Sequence, residues 1–515
     1  MRFDSRPNIV FITTDTQGRE MLSTYVDRPG VSTPCLDQMA ADGVVFENAF
    51  TAAPVCTPAR GSWYTGLPPN RHGAMGNELA VSRAVPFIGE LLARGGYATH
   101  HVGKWHLDAA GYAGAGIADG GFNADTWYDL SNFYDEVGRE GPNKFGGWNK
   151  GLEDESFCFG HRVADRAIEI IEESAGGPRD RPLFLAVEFD EPHGPYICPP
   201  PFCDRYSSHD IFVPETASRQ VNLEGKPELQ QQYAAYLRDV LDTEAHGPRR
   251  ATDRHKRASA EAGPRLPRYY AKYYSCNSYV DYEIGRVLDA VRRRCPADTL
   301  VIFTSDHGDH LGAFGLGPKG PTMYDHTVAV PLLVWAPRLP GGRRETGLVS
   351  ALDVFPTMLD AAGVEFTPEQ RLGYDGRSLM PVLSGDAEAV RDSVAIEYNR
   401  FGIQFNQVRG FYPIRCIRTK SWKLAINLFD RDELYDLSAD PGEAVNRIDD
   451  PASVEVRNAL HDRLLEGMYN TQDLLRGPSW ANRPWRPDRD RSFVGFTTTG
   501  FAETWPDGTW GTTDE

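Results

Sequence analysis

Two hard carboxylates and an imidazole stand where apolar runs end. Asp15 closes NIVFITTD, and Asp306 with His307 follows LVIFTS. Carboxylate oxygens with one imidazole suit Ca²⁺, Mg²⁺ or Mn²⁺ better than a metal that seeks thiolates. Two further polar motifs hold the same kind of place. Lys104 and His106 (GKWH) follow the run Tyr97–Val102, and Pro192-His193 follows LFLAVEFD. One such residue alone is an ordinary strand cap or a satisfied loop histidine. Four such places together are informative, because an open parallel sheet binds its ligands outside the carboxyl ends of its strands. Lysine offers charge to an anion, and histidine moves protons near neutral pH. A further motif, Cys56-Thr57-Pro58-Ala59-Arg60, sets a cysteine just before a proline suited to open a helix.

The runs that must position these residues alternate with helical patterns. Asn8–Asp15, Tyr97–Val102, Leu183–Phe189 and Leu300–Ser305 read as buried strands. Leu36, Met39 and Ala40 recur at helical spacing and stop at Gly43; residues 86–94 stop at Gly95-Gly96; residues 276–293 suit a long helix. This alternation predicts an α/β fold, a mostly parallel sheet sandwiched by helices. From Ser393 the pattern turns to short alternating runs with turn residues, then a helix near Val454–Met468. That predicts a smaller α+β subdomain with an antiparallel sheet. The expected division is a catalytic domain over 1–392, this subdomain over 393–475, and a tail over 476–515. A polar insertion at about 225–268 is expected at the rim of the site. The tail carries Trp480, Trp485, Trp505 and Trp510, too many large aromatics for a solvated segment. It either pads its own domain or crosses to a neighbouring subunit or the substrate mouth; the expectation is a homo-oligomer.

Cys-x-Pro-x-Arg, followed by a Ser and a Thr-Gly in PVCTPARGSWYTG, resembles the motif of the formylglycine-dependent type I sulfatases, in the alkaline phosphatase superfamily. PNIVFITTDTQ, TPCLDQMAADGVVFENAF, GYATHHVGKWHLD, DEPHGPY, TSDHGDHLG, KGPTMYDH and DELYDLSADPGE resemble sulfatase segments in their usual order, across most of the chain. The resemblance implies an alkaline-phosphatase-like fold and hydrolysis of organic sulfate monoesters to alcohol and sulfate. It implies that Cys56 is oxidised to formylglycine by a formylglycine-generating enzyme that reads Thr57, Pro58 and Arg60. One hydroxyl of the hydrated aldehyde then attacks sulfur, giving a covalent sulfo-enzyme, and the other expels sulfate. It further implies that Asp15, Cys56, Asp306 and His307 hold one divalent ion, Ca²⁺ first, with Mn²⁺ or Mg²⁺ as alternatives. Thr16 and Gln17 stand where the family usually has a further ligand, and either could complete the site. Arg60 would orient the diol, and Lys104 and Lys319 would clamp sulfate. His106 would trigger elimination, and His193 would assist the leaving oxygen. Asn77 lies near a substrate-contacting position in some relatives. Phosphonate monoester and phosphodiester hydrolases share the scaffold and the Asp-His pair but tend to lack the Lys-x-His pair. Lys104 with His106 therefore favours sulfate. The intact set of site residues speaks against a non-catalytic binding protein.

Charge excludes other classes. The 515 residues carry 54 Lys and Arg against 72 Asp and Glu, a net charge of −18. So acidic a chain is not expected to bind nucleic acid or an anionic membrane, and an anionic substrate needs a local positive site. The eight cysteines include no CxxC pair, so no disulfide framework or zinc ribbon is indicated. With no signal-peptide pattern and no apolar run of about 20 residues, a cytoplasmic location is expected, with a small sulfate ester as substrate.

Overall fold

After its first residue, Asn8–Thr14 (β1) is built only from β-branched and aromatic residues, and it alternates between two cores. Ile9 and Phe11 enter one, Val10 and Ile12 the other. A computed structural model describes residues 6–140, 155–176, 181–207, 209–217, 223–243, 266–366, 373–402 and 410–487. Its main sheet adds Val44–Phe50 (β2), Ala98–Gly103 (β3), Leu183–Glu188 (β4), Thr299–Ser305 (β5), Leu332–Trp335 (β6) and Arg343–Ser350 (β7). The seven strands lie in the order β3-β4-β1-β5-β6-β2-β7. Pairs β3/β4, β4/β1, β1/β5 and β2/β7 are parallel, and β6 runs antiparallel to both β5 and β2.

Helices cover both faces, which is why β4, β5 and β6 are mostly apolar and buried throughout. The Phe159–Gly176 and Leu266–Arg294 helices close one face. The Cys56–Thr65 and Val354–Ala362 helices close the other, with Trp63, Tyr64 and Phe355 in its core. The Cys56–Thr65 helix is buried at all ten positions and stops at Gly66, whose left-handed backbone caps it. Packing on every side holds Cys56, its first residue, in one place.

A second sheet, Ser393–Arg400 (β8), Phe411–Thr419 (β9), Trp422–Asn427 (β10) and Glu433–Asp436 (β11), is antiparallel in the order β11-β10-β9-β8. The Val454–Asn470 helix packs against it through Leu460, Leu464 and Met468. Trp480 completes that core, its indole donating to Leu475 O at 2.8 Å. Trp485 donates to Asp432 Oδ2 at 2.8 Å. These two tryptophans therefore pad their own subdomain; Trp505 and Trp510 lie outside the described residues. Of the insertion, residues 244–265 also lie outside them. The Glu228–Thr243 helix is anchored on β11, with Gln230 donating to Glu433 Oε2 at 3.1 Å and accepting from Tyr324 at 2.7 Å. All eight cysteines are free thiols, and no described helix is long and apolar enough to cross a membrane.

Candidate active site

Register brings the polar motifs together. Thr14 of β1 pairs with Ser305 of β5, so Asp15 and Asp306 leave the sheet side by side. Glu188 of β4 pairs with Thr13 on one flank and Gly103 on the other. Lys104 and the loop holding His193 thus emerge beside Asp15, from four adjacent parallel strands. Gly103 is required here: it has φ +116°, and a Cβ would lie 1.9 Å from Glu188 O. That close approach lets the Lys104 backbone N–H donate to the same carbonyl at 2.9 Å.

The buried pocket so formed centres on Cys56. Its Sγ lies 3.4 Å from His307 Nε2 and 3.8 Å from Asp15 Oδ1. Lys319 Nζ reaches Cys56 Sγ at 2.7 Å and His307 Nε2 at 2.9 Å. Lys104 Nζ donates to Asp15 Oδ2 at 2.6 Å and to Asp190 Oδ1 at 2.8 Å. Arg60 spans the floor, donating to Glu188, to Asp15 Oδ2 at 3.4 Å and to Lys104 O at 3.1 Å. His106 is buried with φ +59° and lies near Cys56. His193 is joined to Lys104 through Tyr112 and Asp190: Tyr112 donates to Asp190, and its oxygen lies 2.9 Å from His193 Nδ1. Asn77 Oδ1 accepts from Thr57 N at 3.1 Å, at the start of the helix that carries Cys56.

Opposite charges in a buried cluster move each group's proton equilibrium. Burial and Asp15 push the Cys56 thiol up, but Lys319, Lys104 and His307 outweigh them and hold it well below its ordinary value. Burial raises the Asp15 carboxyl, yet Lys104, His193, Lys319 and Arg60 keep it well below the usual range. Asp306 goes the other way, pushed to about 6 by burial and Asp15. Burial lowers both lysines, but Asp15 and Asp190 raise Lys104, and Cys56 and Asp15 raise Lys319, so each stays an ammonium. Burial dominates at His106 and lowers it, favouring a neutral imidazole.

Asp15, Cys56, Asp306 and His307 fit a divalent cation. Their donor atoms all lie within 4.8 Å of one another. Asp306 Oδ2 is buried without a hydrogen bond and faces Arg60 Nε at 3.4 Å, so a lone pair remains for coordination. Gln17 is turned away: its amide donates to Asn277 Oδ1 at 2.6 Å and accepts from Thr14 at 2.8 Å. Thr16 stays at the cluster, its hydroxyl donating to Asp15 Oδ1 at 2.6 Å and its backbone N–H to Asp306 Oδ1 at 2.9 Å.

Sequence reasoning missed Glu188, Asp190, Tyr64 and Tyr112. Glu188 is fully buried beneath Arg60, accepts from Tyr64, and is pushed by burial to about 7. Its signal was present: an acidic residue inside the run LFLAVE, on a strand buried on both faces.

A sulfatase family model matches residues 7–364, and a model of the C-terminal region of N-sulphoglucosamine sulphohydrolase matches 314–470. The chain belongs to the sulfatase family, within the alkaline phosphatase superfamily, and is a sulfuric ester hydrolase. It is 34% identical over 506 residues to the uncharacterized sulfatase YidJ of Escherichia coli K12, spanning 95% of this chain and 93% of that one. It is 28% identical over 469 residues to a choline-sulfatase of Rhizobium meliloti, spanning 87% and 83%. Its fold matches the phosphonate monoester hydrolase of Agrobacterium radiobacter with a TM-score of 0.73 and 24% identity, over 91% of this chain and 97% of that one.

Proposed function

We propose that the chain hydrolyses small sulfate monoesters at position 56, with Cys56 matured to formylglycine and one divalent cation held by Asp15, Asp306 and His307. The observation that carries this reading is the convergence of Lys319 on Cys56 at 2.7 Å, with Lys104 held on Asp15 beside it. Two buried ammonium groups in one cluster, in a protein of net charge −18, suit a tetrahedral anion.

The hydrated aldehyde at position 56 would supply a nucleophilic hydroxyl and a second hydroxyl able to expel sulfate. The cation, Ca²⁺ first among hard ions, would supply Lewis acidity, with Thr16 beside its ligands rather than Gln17. The remaining work falls to the chain's own groups. Lys104 and Lys319 bind the sulfate oxygens and offset charge that grows as the ester bond breaks. Arg60, fixed by Glu188 and Asp15, holds the side chain at position 56 in line. His106, neutral and against position 56, takes a proton from it. His193 gives a proton to the departing alcohol. Thr57, Pro58 and Arg60 would be read by a formylglycine-generating enzyme during maturation.

A matched set of sulfate, phosphate and phosphonate esters of one alcohol tests the reading. Highest kcat/KM on the sulfate supports it. Preference for the phosphonate would favour the second reading, to which His307 beside Asp306 and the shared fold lend support.

A further inference from the structure

We propose that Tyr112 and Asp190 form a hydrogen-bonded relay that positions His193 to protonate the leaving oxygen and couples that act to the anion clamp at Lys104. The inference rests on the hydrolase reading above, and it concerns residues outside the Cys-x-Pro-x-Arg, Lys-x-His and Asp-His motifs.

Hydrogen-bond logic fixes the direction of the relay. An ionised carboxylate only accepts. Asp190 Oδ1 takes one bond from Lys104 Nζ at 2.8 Å and another from the Tyr112 hydroxyl. The Tyr112 proton therefore points at Asp190, and the phenol oxygen presents lone pairs to His193 Nδ1 at 2.9 Å. Gly194 O, also only an acceptor, lies 2.7 Å from the same nitrogen. Nδ1 must then carry its hydrogen, donated between these two acceptors. A second proton on the ring sits on Nε2, the nitrogen left to exchange it with a ligand. Burial, then Asp190, raises the Tyr112 phenol well above its ordinary value, so the hydroxyl keeps its proton and the relay its sense.

Tyr112 does more than bridge. Lys104 Nζ sits 4.0 Å from the centre of its ring, and the His106 ring meets it edge-on at 5.4 Å. One side chain thus touches the clamp lysine, the histidine at position 106 and the histidine of the leaving side. As the sulfur–oxygen bond breaks, its electron pair stays on the leaving oxygen. The proton on His193 Nε2 moves to that oxygen, and the imidazole is left neutral with Nδ1–H still held. Tyr112 and Asp190 are positioning residues here, since each acts through His193.

A leaving-group comparison tests this on the matured protein. Tyr112→Phe keeps the ring against Lys104 and His106 and removes only the hydroxyl. A phenolate is a poor leaving group that needs the proton, whereas 4-nitrophenolate leaves readily without it. The relay predicts a loss in kcat/KM of about 10²-fold on phenyl sulfate and under about tenfold on 4-nitrophenyl sulfate, the range of general acid catalysis. Asp190→Asn breaks the relay at its other end and should steepen the dependence in the same sense, with an added loss on both esters because Lys104 is freed. Equal losses on the two esters in both variants would overturn the relay and leave a packing role, as would no loss on either. If the parent protein prefers phenyl phosphonates, the sulfate reading fails, but the same leaving-group pair on phosphonates still decides the relay.

Discussion

The protein buries two dense clusters of opposite charge, and they differ in what is left over. At the junction with the second sheet, Lys423 Nζ donates to Met323 O at 2.7 Å, Asp325 Oδ1 at 2.6 Å and Glu443 Oε1 at 2.6 Å. Three donors meet three acceptors. Asp325 also takes Arg418 at 3.1 Å, and Glu443 Oε2 takes the Asp325 backbone N–H at 2.6 Å. The pocket at Cys56 has comparable burial but is incomplete. Asp306 Oδ2 and Arg60 Nε face each other at 3.4 Å as an ion pair without a hydrogen bond, and His106 Nδ1 is buried without a hydrogen-bond partner. At the Lys423 cluster Arg418 Nε alone is left so, and the ion pairs there join two pieces of the fold; the cluster at Cys56 leaves more of its polar atoms without hydrogen bonds, as a site for a ligand would. Both look alike in sequence, as charged residues among apolar runs, so satisfaction rather than charge content separates them.

The sharpest way to break this comparison is at Cys56. Cys56→Ala should abolish turnover while leaving thermal stability near that of the parent, because it removes the nucleophile's precursor and little volume. Cys56→Ser should stall after at most one turnover, since a serine has no second hydroxyl to expel sulfate. Repeated rapid turnover by the serine variant would contradict the elimination step. Exhaustive chelation should likewise stop the reaction, with one divalent ion per chain restoring it; full activity in rigorously metal-free protein would remove the assignment of Asp15, Asp306 and His307.

Next in size are the clamp lysines. Lys104→Ala and Lys319→Ala should each cost at least about 10²-fold in kcat, the scale of losing one charged contact to developing negative charge. Lys104→Ala should cost sulfate esters more than phosphodiesters, and equal losses would weaken the preference for sulfate.

The Lys423 cluster should answer in stability instead. Lys423→Met leaves Glu443 without its cation and Asp325 with Arg418 alone, and should destabilise the fold by about 3–5 kcal/mol, with kcat per folded molecule little changed. Denaturant unfolding alongside kinetics reads both. A smaller effect concerns Lys226, which burial lowers to about 8 among Phe314, Tyr324 and Tyr435. Below pH 8 both folded and unfolded states hold its proton, and the folded state bears the full cost of the buried charge. Between about 8 and 10.5 the unfolded state binds more protons, so this contribution to stability rises with pH. The parent should therefore gain stability over Lys226→Met across that window; a constant difference would show that the lysine is not depressed.

Much of this was legible in the sequence, for identifiable reasons. Asp15, Lys104, His193, Asp306 and His307 follow apolar runs, and parallel strands carry such ends to one edge, so a shared edge could be read from pattern; that Asp15 and Asp306 adjoin needed the strand order. Glu188 and Asp190 sit within or just after a run that reads as apolar, and only the neighbours supplied by β3 and β1 reveal what they touch. Tyr112 lies in a glycine-rich loop with no period to place it. β6 has four residues, too few to announce that it runs against its neighbours. Trp480 and Trp485 signalled packing by composition, but composition does not say against which surface; both chose the Val454–Asn470 helix and β10–β11 side of their own subdomain. What holds the Gln17 amide away from the cluster is Asn277, 260 residues away in the chain.

If position 56 works as an aldehyde, the mass of the peptide spanning Thr51–Arg60, taken from protein that turns over a sulfate ester, should show it. An aldehyde or its hydrate is expected in place of the thiol, in a fraction that tracks specific activity across preparations. Full activity from protein in which Cys56 is entirely an unmodified thiol would contradict it.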